Sequence, residues 1–157
     1  MSSIRAEILP VDFPNTAAAR ITIDAPAQVI FDLLANPAAH QRFDGSGTVK
    51  KAISGPERLY LGARFGMAMK IKVPYRIKNT VVAFEENKKI TWCHLMKWTW
   101  CYELQAITPN QTVVTESFDA SEIPSFAKWW LKKTGAMDHN PRWMAKSLVK
   151  LKSICEA

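Results

Sequence analysis

His94, Tyr102, Arg76, Tyr75 and Glu116 are polar or ionisable side chains set inside otherwise apolar stretches, and His40 and Asp44 lie just ahead of them. A histidine can serve as general base in an aldol-type cyclisation, a tyrosine can donate the proton, and an arginine can hold an oxyanion or a carboxylate. Each also has an ordinary structural use. His94 at a strand end can simply face water, Arg76 can pair with Glu116 across a sheet, and Tyr102 can donate to a backbone carbonyl. Three or four of these groups must converge for catalysis, and only the fold can make them do so.

Other chemistries are excluded more directly. Asp44-Gly45-Ser46-Gly47 lacks the Lys-Ser/Thr continuation and the following helix that a phosphate loop requires, so it reads as a flexible link to the next strand. Cys93, Cys101 and Cys155 are odd in number and lack metal-ligand spacing, which predicts reduced thiols rather than a disulfide or a zinc site. His40, His94 and His139 are far apart and form no metal triad. No metal and no cofactor is expected.

The elements that must position these residues begin with residues 21–37. The β-branched run Ile21 to Ile23 predicts a strand, Asp24 or Ala25 supplies a cap, and Pro26 fits a first helical turn. Val29, Ile30, Leu33 and Leu34 form the apolar stripe of that helix. Asn36-Pro37 closes it and opens a second short helix from Pro37 to about Phe43, because a residue before proline is pushed out of the helical region. Extended segments follow at Thr48–Ile53, Arg64–Lys72, Arg76–Phe84, Lys89–Leu95, Trp98–Ile107 and Gln111–Asp119, separated by turn signals too short for helical crossovers. With the first strand they make a meander of about seven antiparallel strands. From Glu122 the chain turns helical. Gly135 splits this tail, Asn140-Pro141 reads as an N-cap and first helical residue, and Met144, Leu148, Leu151 and Cys155 form a stripe with Arg142, Lys146, Lys150 and Lys152 mostly away from it.

Period-two alternation assigns the faces. Trp98, Trp100, Tyr102 and Leu104 share one face, as do Ile90, Trp92 and His94, and Phe65, Met67, Met69 and Ile71; these bulky sets are expected to point inward.

The order strand, two short helices, antiparallel meander, long C-terminal helix resembles the START/Bet v 1-like (SRPBCC) superfamily, in its polyketide cyclase/dehydrase and lipid-transport branch. The resemblance is carried by the Ile-x-Ile-x-Ala-Pro-Ala-x-Val-Ile-Phe-x-Leu-Leu-Ala-Asn-Pro pattern at 21–37 and by Phe43-Asp44-Gly45-Ser46-Gly47-Thr48-Val49. Leu61-Gly62-Ala63-Arg64-Phe65-Gly66-Met67 and Val73-Pro74-Tyr75-Arg76 add to it. It spans roughly residues 18–119, and the tail matches only in being helical. It implies an α+β helix-grip fold in which the last helix spans a curved sheet and leaves a void. The six Trp and six Met would then line that void with polarisable surface. Its expected ligand-binding residues are Met67, Met69, Tyr75, Arg76, Trp92, His94, Trp98, Trp100, Tyr102, Glu116, Trp130, Trp143 and Met144, with Trp129, Trp130, Trp143 and Met144 at the lid or mouth. The catalytic candidates are His94, Tyr102 and Arg76.

Length and composition agree with one domain over residues 1–157: 48% hydrophobic residues, no repeat and no low-complexity segment. Neither a secretory pattern in Met1 to Pro14 nor a run of about 20 apolar residues is present, so a cytoplasmic location is expected. The net charge of +7 is uneven: residues 50–78 hold eight Lys or Arg against one Glu. Attraction to an anionic membrane surface or an acyl carrier fits that basic stretch. Nucleic acid is not expected, because no recognition motif accompanies the charge. Three functions follow. The leading one is a binding protein for a hydrophobic small molecule of lipid, polyketide or isoprenoid type. The others are a cyclase/dehydratase working in the same cavity, and a basic interaction module for an anionic macromolecule.

Overall fold

The computed structural model describes residues 5–11 and 15–157, with the side chains of Ile71, Ala136, Met137 and Asp138 outside the described set. The inward expectation for Ile71 and most of the reading of Met1 to Pro14 therefore lie outside the described residues. A two-residue strand β1 (Glu7–Ile8) precedes β2 (Thr16–Ile23), α1 (Ala27–Leu34), a 3-10 turn (Pro37–Ala39) and α2 (His40–Phe43). Strands β3 (Val49–Ser54), β4 (Arg64–Ile71), β5 (Val73–Glu85), β6 (Lys89–His94), β7 (Thr99–Thr108) and β8 (Gln111–Asp119) follow, then α3 (Ser125–Lys133) and α4 (Ala136–Cys155). The strands form one antiparallel sheet in the order β1-β2-β8-β7-β6-β5-β4-β3. This is the α+β helix-grip arrangement, with eight strands where the periodicity gave about seven.

Local chemistry explains the joints, with three corrections. The N-cap of α1 is Pro26, in extended conformation, rather than Asp24 or Ala25, so the helix starts one residue later than expected, and no side chain caps it. Asp24 instead accepts from Gln111 Nε2 at 2.9 Å. Asn36 is extended, as a residue before proline must be, and its side chain accepts from the Ala38 amide at 3.0 Å.

The second correction concerns α4. It starts directly after Gly135, whose φ of +76° suits glycine, and so begins ahead of Asn140. Pro141 consequently lies inside the helix, where its missing N–H removes one backbone bond. The inner stripe of α4 is Met144, Leu148 and Leu151, all fully buried. Each contributes on the order of 1.5–3 kcal/mol. Lys152 departs from the expected solvated face: it is buried, and its ammonium donates to the Thr22 carbonyl at 2.9 Å and to the Glu156 carboxylate. Glu156 also accepts from the Asp24 amide at 2.7 Å, so the C-terminal end of α4 is latched to the β2–α1 junction.

The third correction concerns residues 44–48, which are tied down rather than flexible. Asp44 accepts from Ser46 N, Ser46 Oγ and Val49 N through its two carboxylate oxygens. The Gly45 amide donates to Ser147 Oγ at 2.7 Å, and Lys150 Nζ donates to the Asp44 carbonyl. Gly45 lies so close under α4 that a Cβ would stand 2.4 Å from the Trp143 carbonyl oxygen.

Candidate functional site

Between the inner face of the sheet and α4 lies a cavity of about 310 Å³. The alternating strands build its walls as period two requires: Phe65, Met67 and Met69 from β4, Trp92 and His94 from β6, and Trp100 and Tyr102 from β7, with Trp98 just ahead of β7. Trp130 and Leu131 of α3 and Asn140, Trp143, Met144 and Ser147 of α4 close the other side. Aromatic contacts hold the walls in place. Trp92 stacks on His40 with centroids 5.0 Å apart and meets Phe65 edge-on at 5.8 Å, while Trp100 packs on Phe118 at 4.6 Å.

The deepest polar group is Glu116, which is 3% exposed and sits opposite Tyr102 in the β7–β8 register. Burial pushes the Glu116 carboxyl up to about 8, and the negative charge of Asp44 pushes the same way against the opposing hydrogen bond from Tyr102. Burial and the same carboxyl hold the Tyr102 phenol well above its usual value, so Tyr102 stays protonated beside Glu116. One Glu116 oxygen, Oε2, is buried without a hydrogen-bond partner.

His40 is buried beside this pair. Its Nε2 is 2.8 Å from the Leu34 carbonyl, so Nε2 carries the proton, and burial lowers its pKa to about 4. His94 stacks face to face on Trp98 at 3.8 Å, and its Nδ1 accepts from the Met96 amide at 3.0 Å. Burial lowers its pKa to about 4 as well. With the Nδ1 lone pair engaged, the neutral ring offers its Nε2–H, a donor rather than a base.

The thirteen residues expected to contact a ligand all line this one cavity. Among the catalytic candidates the contact made is Tyr102 with Glu116. Arg76 is exposed at the rim and forms no ion pair with Glu116, because β6 and β7 lie between β5 and β8. Trp129 is 60% exposed and turned away from the cavity, with Lys133 Nζ 4.7 Å from its ring centroid. Its neighbour Trp130 lies a third of a helical turn further round and faces inward instead, packing against Trp98 and Tyr75.

Three buried polar lining residues lie outside the sequence expectation, Asn79, Asn140 and Ser147. Asn79 shares the face of Tyr75 and Ile77 along β5, a period-two signal that points to it; Asn140 carries a cap signal instead, and nothing local marks Ser147. The three cysteines are free, and burial raises each thiol above its ordinary pKa. Among the described residues no cluster of three or more His, Cys, Asp or Glu is placed to hold a metal, and no helix is long and apolar enough to cross a membrane.

No family model matches the chain. It is 34% identical over 142 residues to the uncharacterized protein Rv0088 of Mycobacterium tuberculosis H37Rv, covering 88% of this chain and 63% of that protein's length. Among solved structures, protein Ms6760 of Mycobacterium smegmatis superposes with a TM-score of 0.70 at 12% identity, covering 96% of each chain. The Polyketide_cyc-like protein Cgl2372 of Corynebacterium glutamicum gives 0.63 at 19% identity, over 90% of this chain and 91% of that one. The chain has the START/Bet v 1-like fold, shared with a polyketide cyclase-like protein.

Proposed function

We propose that the protein binds a small hydrophobic molecule between sheet and α4 and carries it. The observation behind this reading is the cavity: about 310 Å³, walled mainly by Trp, Met and Phe, with polar groups set among them. That size is at the small end of ligand pockets, which run from about 300 to 1,000 Å³. It suits a compound of two or three rings, or a short isoprenoid, better than a two-chain phospholipid. The test is native mass spectrometry of the purified protein, followed by denaturing extraction. A co-purifying apolar species supports the carrier reading. If the protein arrives empty and also fails to take up naphthyl compounds in calorimetry, the reading falls.

The rim favours a place where the ligand is loaded. Val73, Leu95, Phe126 and Trp129 are large apolar side chains exposed by 60 to 80%. Lys72, Lys97, Lys132 and Lys133 stand among them, all exposed. Trp130 ties α3 to both hairpin ends through Tyr75 and Trp98. Residues 58–84 and 123–137 hold no Asp or Glu. Aromatic groups interleaved with lysines match an anionic lipid surface. Co-sedimentation with phosphatidylglycerol vesicles, lost on adding salt and absent with phosphatidylcholine, is the expected result. No sedimentation with either vesicle at low salt overturns the membrane assignment and leaves an acyl carrier as the partner to try.

A further inference from the structure

We propose that Glu116 is the ligand anchor: its free carboxyl oxygen meets a carbonyl oxygen on an otherwise apolar, uncharged molecule, and the cavity rejects carboxylates. The inference rests on the small-molecule reading above and names the class of molecule.

Four observations carry it. Glu116 is 3% exposed and lines the cavity, and its Oε2 has no partner in a fold that otherwise satisfies its buried polar groups with few exceptions. Tyr102 stands directly across the β7–β8 ladder beside the same carboxyl, yet Oε2 is left without a partner. The ionisable groups that act on the carboxyl are Tyr102 on β7 and Asp44 beyond α2. The strand on its other side, β2, presents Ala19 in register, and α4 presents Asn140, Met144 and Ser147 to the cavity. No cation acts on it: Arg76 lines the cavity at its exposed rim, with two strands between β5 and β8, and the nearby charge is the negative one of Asp44. Burial therefore keeps Glu116 protonated at neutral pH, with a carboxyl at about 8.

A protonated carboxyl with an unpartnered oxygen is a hydrogen-bond donor facing an apolar space. A ketone, quinone or ester carbonyl accepts from it. A fatty-acid carboxylate would place a second negative charge near Asp44 with no counter-ion, at a desolvation cost that binding does not return. Leaving a buried donor unpaired is also unfavourable, so a carbonyl is discriminated from a hydrocarbon of the same shape.

The test is isothermal titration calorimetry with three probes of one shape: 2-acetylnaphthalene, 2-isopropenylnaphthalene, whose CH₂ replaces the carbonyl oxygen, and 2-naphthoate. At pH 6 the ketone is expected to bind about tenfold tighter than the hydrocarbon, with naphthoate weakest. The ketone's advantage should shrink as pH rises from 6 to 9. Tyr102 remains protonated and His40 and His94 neutral over that range, so the loss reports Glu116. Glu116→Gln keeps a donor and should keep the ketone's advantage at both ends of the range. Glu116→Leu should bind ketone and hydrocarbon alike. Equal binding of ketone and hydrocarbon by the unaltered protein, or tightest binding of naphthoate, overturns the anchor while leaving the carrier reading intact. Failure of all three probes overturns the carrier reading, and the anchor with it.

Discussion

Gly45→Ala isolates how tightly the 44–48 loop presses on α4. The added Cβ would stand 2.4 Å from Trp143 O, 2.5 Å from Ser147 N and 2.6 Å from Lys146 Cβ, against ordinary contacts of 3.4–4 Å. Two of these three neighbours are helix backbone, which cannot rotate away, so loop and helix must part by roughly an ångström. Overpacking of this kind costs about 1–3 kcal/mol. Separation also breaks the 2.7 Å bond from Gly45 N to Ser147 Oγ, worth about 1 kcal/mol. The expected loss is therefore about 2–4 kcal/mol, read by urea unfolding followed through tryptophan fluorescence. Two comparisons sharpen it. Gly47→Ala meets nothing within 4 Å and carries only the strain of φ +70°, about 1 kcal/mol. Ser147→Ala loses only the hydrogen bond, about 1 kcal/mol. The double variant Gly45→Ala/Ser147→Ala should fall short of additivity, since the same bond is lost twice. If Gly45→Ala costs no more than Gly47→Ala, the loop does not bear on the helix and the close-packing argument is wrong.

Stability should peak near pH 6.5. Glu116 in the fold holds a proton up to about 8 that the unfolded chain releases near its ordinary 4.5, so stability falls as pH rises, by about 2 kcal/mol between pH 6.5 and 8. His40 and His94 act on the other side: both stay neutral down to about 4, the unfolded chain protonates them below 6.5, and stability is lost as pH falls through that window. Glu116→Gln should flatten the alkaline limb and steepen the acid one, because Glu116 opposes the histidines between about 4.5 and 6.5, and denaturation midpoints from pH 5 to 9 will reveal both. Trp92→Ala should cost about 3–5 kcal/mol, and half-buried Trp100→Ala distinctly less with a larger change in probe affinity; the reverse order in thermal and binding assays would reassign the two. Lys152→Ala should cost about 2–3 kcal/mol by unpairing Glu156 and the Thr22 carbonyl, whereas Lys88→Ala, at an exposed ion pair, should be nearly silent in the same unfolding assay.

Which parts of this were legible in the sequence depends on the range over which each signal acts. The alternation in β4, β6 and β7 is set by the pleat itself, so the inward faces of Met67, Trp92 and Tyr102 could be read directly. Strand β1 spans two residues and has no periodicity to find. Asn140-Pro141 carries a genuine local start signal, but Gly135 in the left-handed region had already turned the chain into the helix. The Arg76–Glu116 pair that the sequence allows does not form, because strand order is not written in local pattern: placing β8 between β2 and β7 sets Glu116 opposite Tyr102 and leaves two strands between it and Arg76. Part of the pinning of residues 44–48 is local, through Asp44 to Ser46 and Val49, but the part that seats the loop depends on Ser147 of α4, a hundred residues downstream.

Helix α4 is held twice, by Gly45 at Trp143 and Ser147 and by the latch of Lys152 and Glu156 onto Thr22 and Asp24 at its C-terminal end. Its opposite end begins at a left-handed glycine and lacks a backbone bond at Pro141. Thermal excursions grow with distance from the nearest hold, so amide exchange should be fastest in the turns ahead of Trp143 and slow from there toward Leu151.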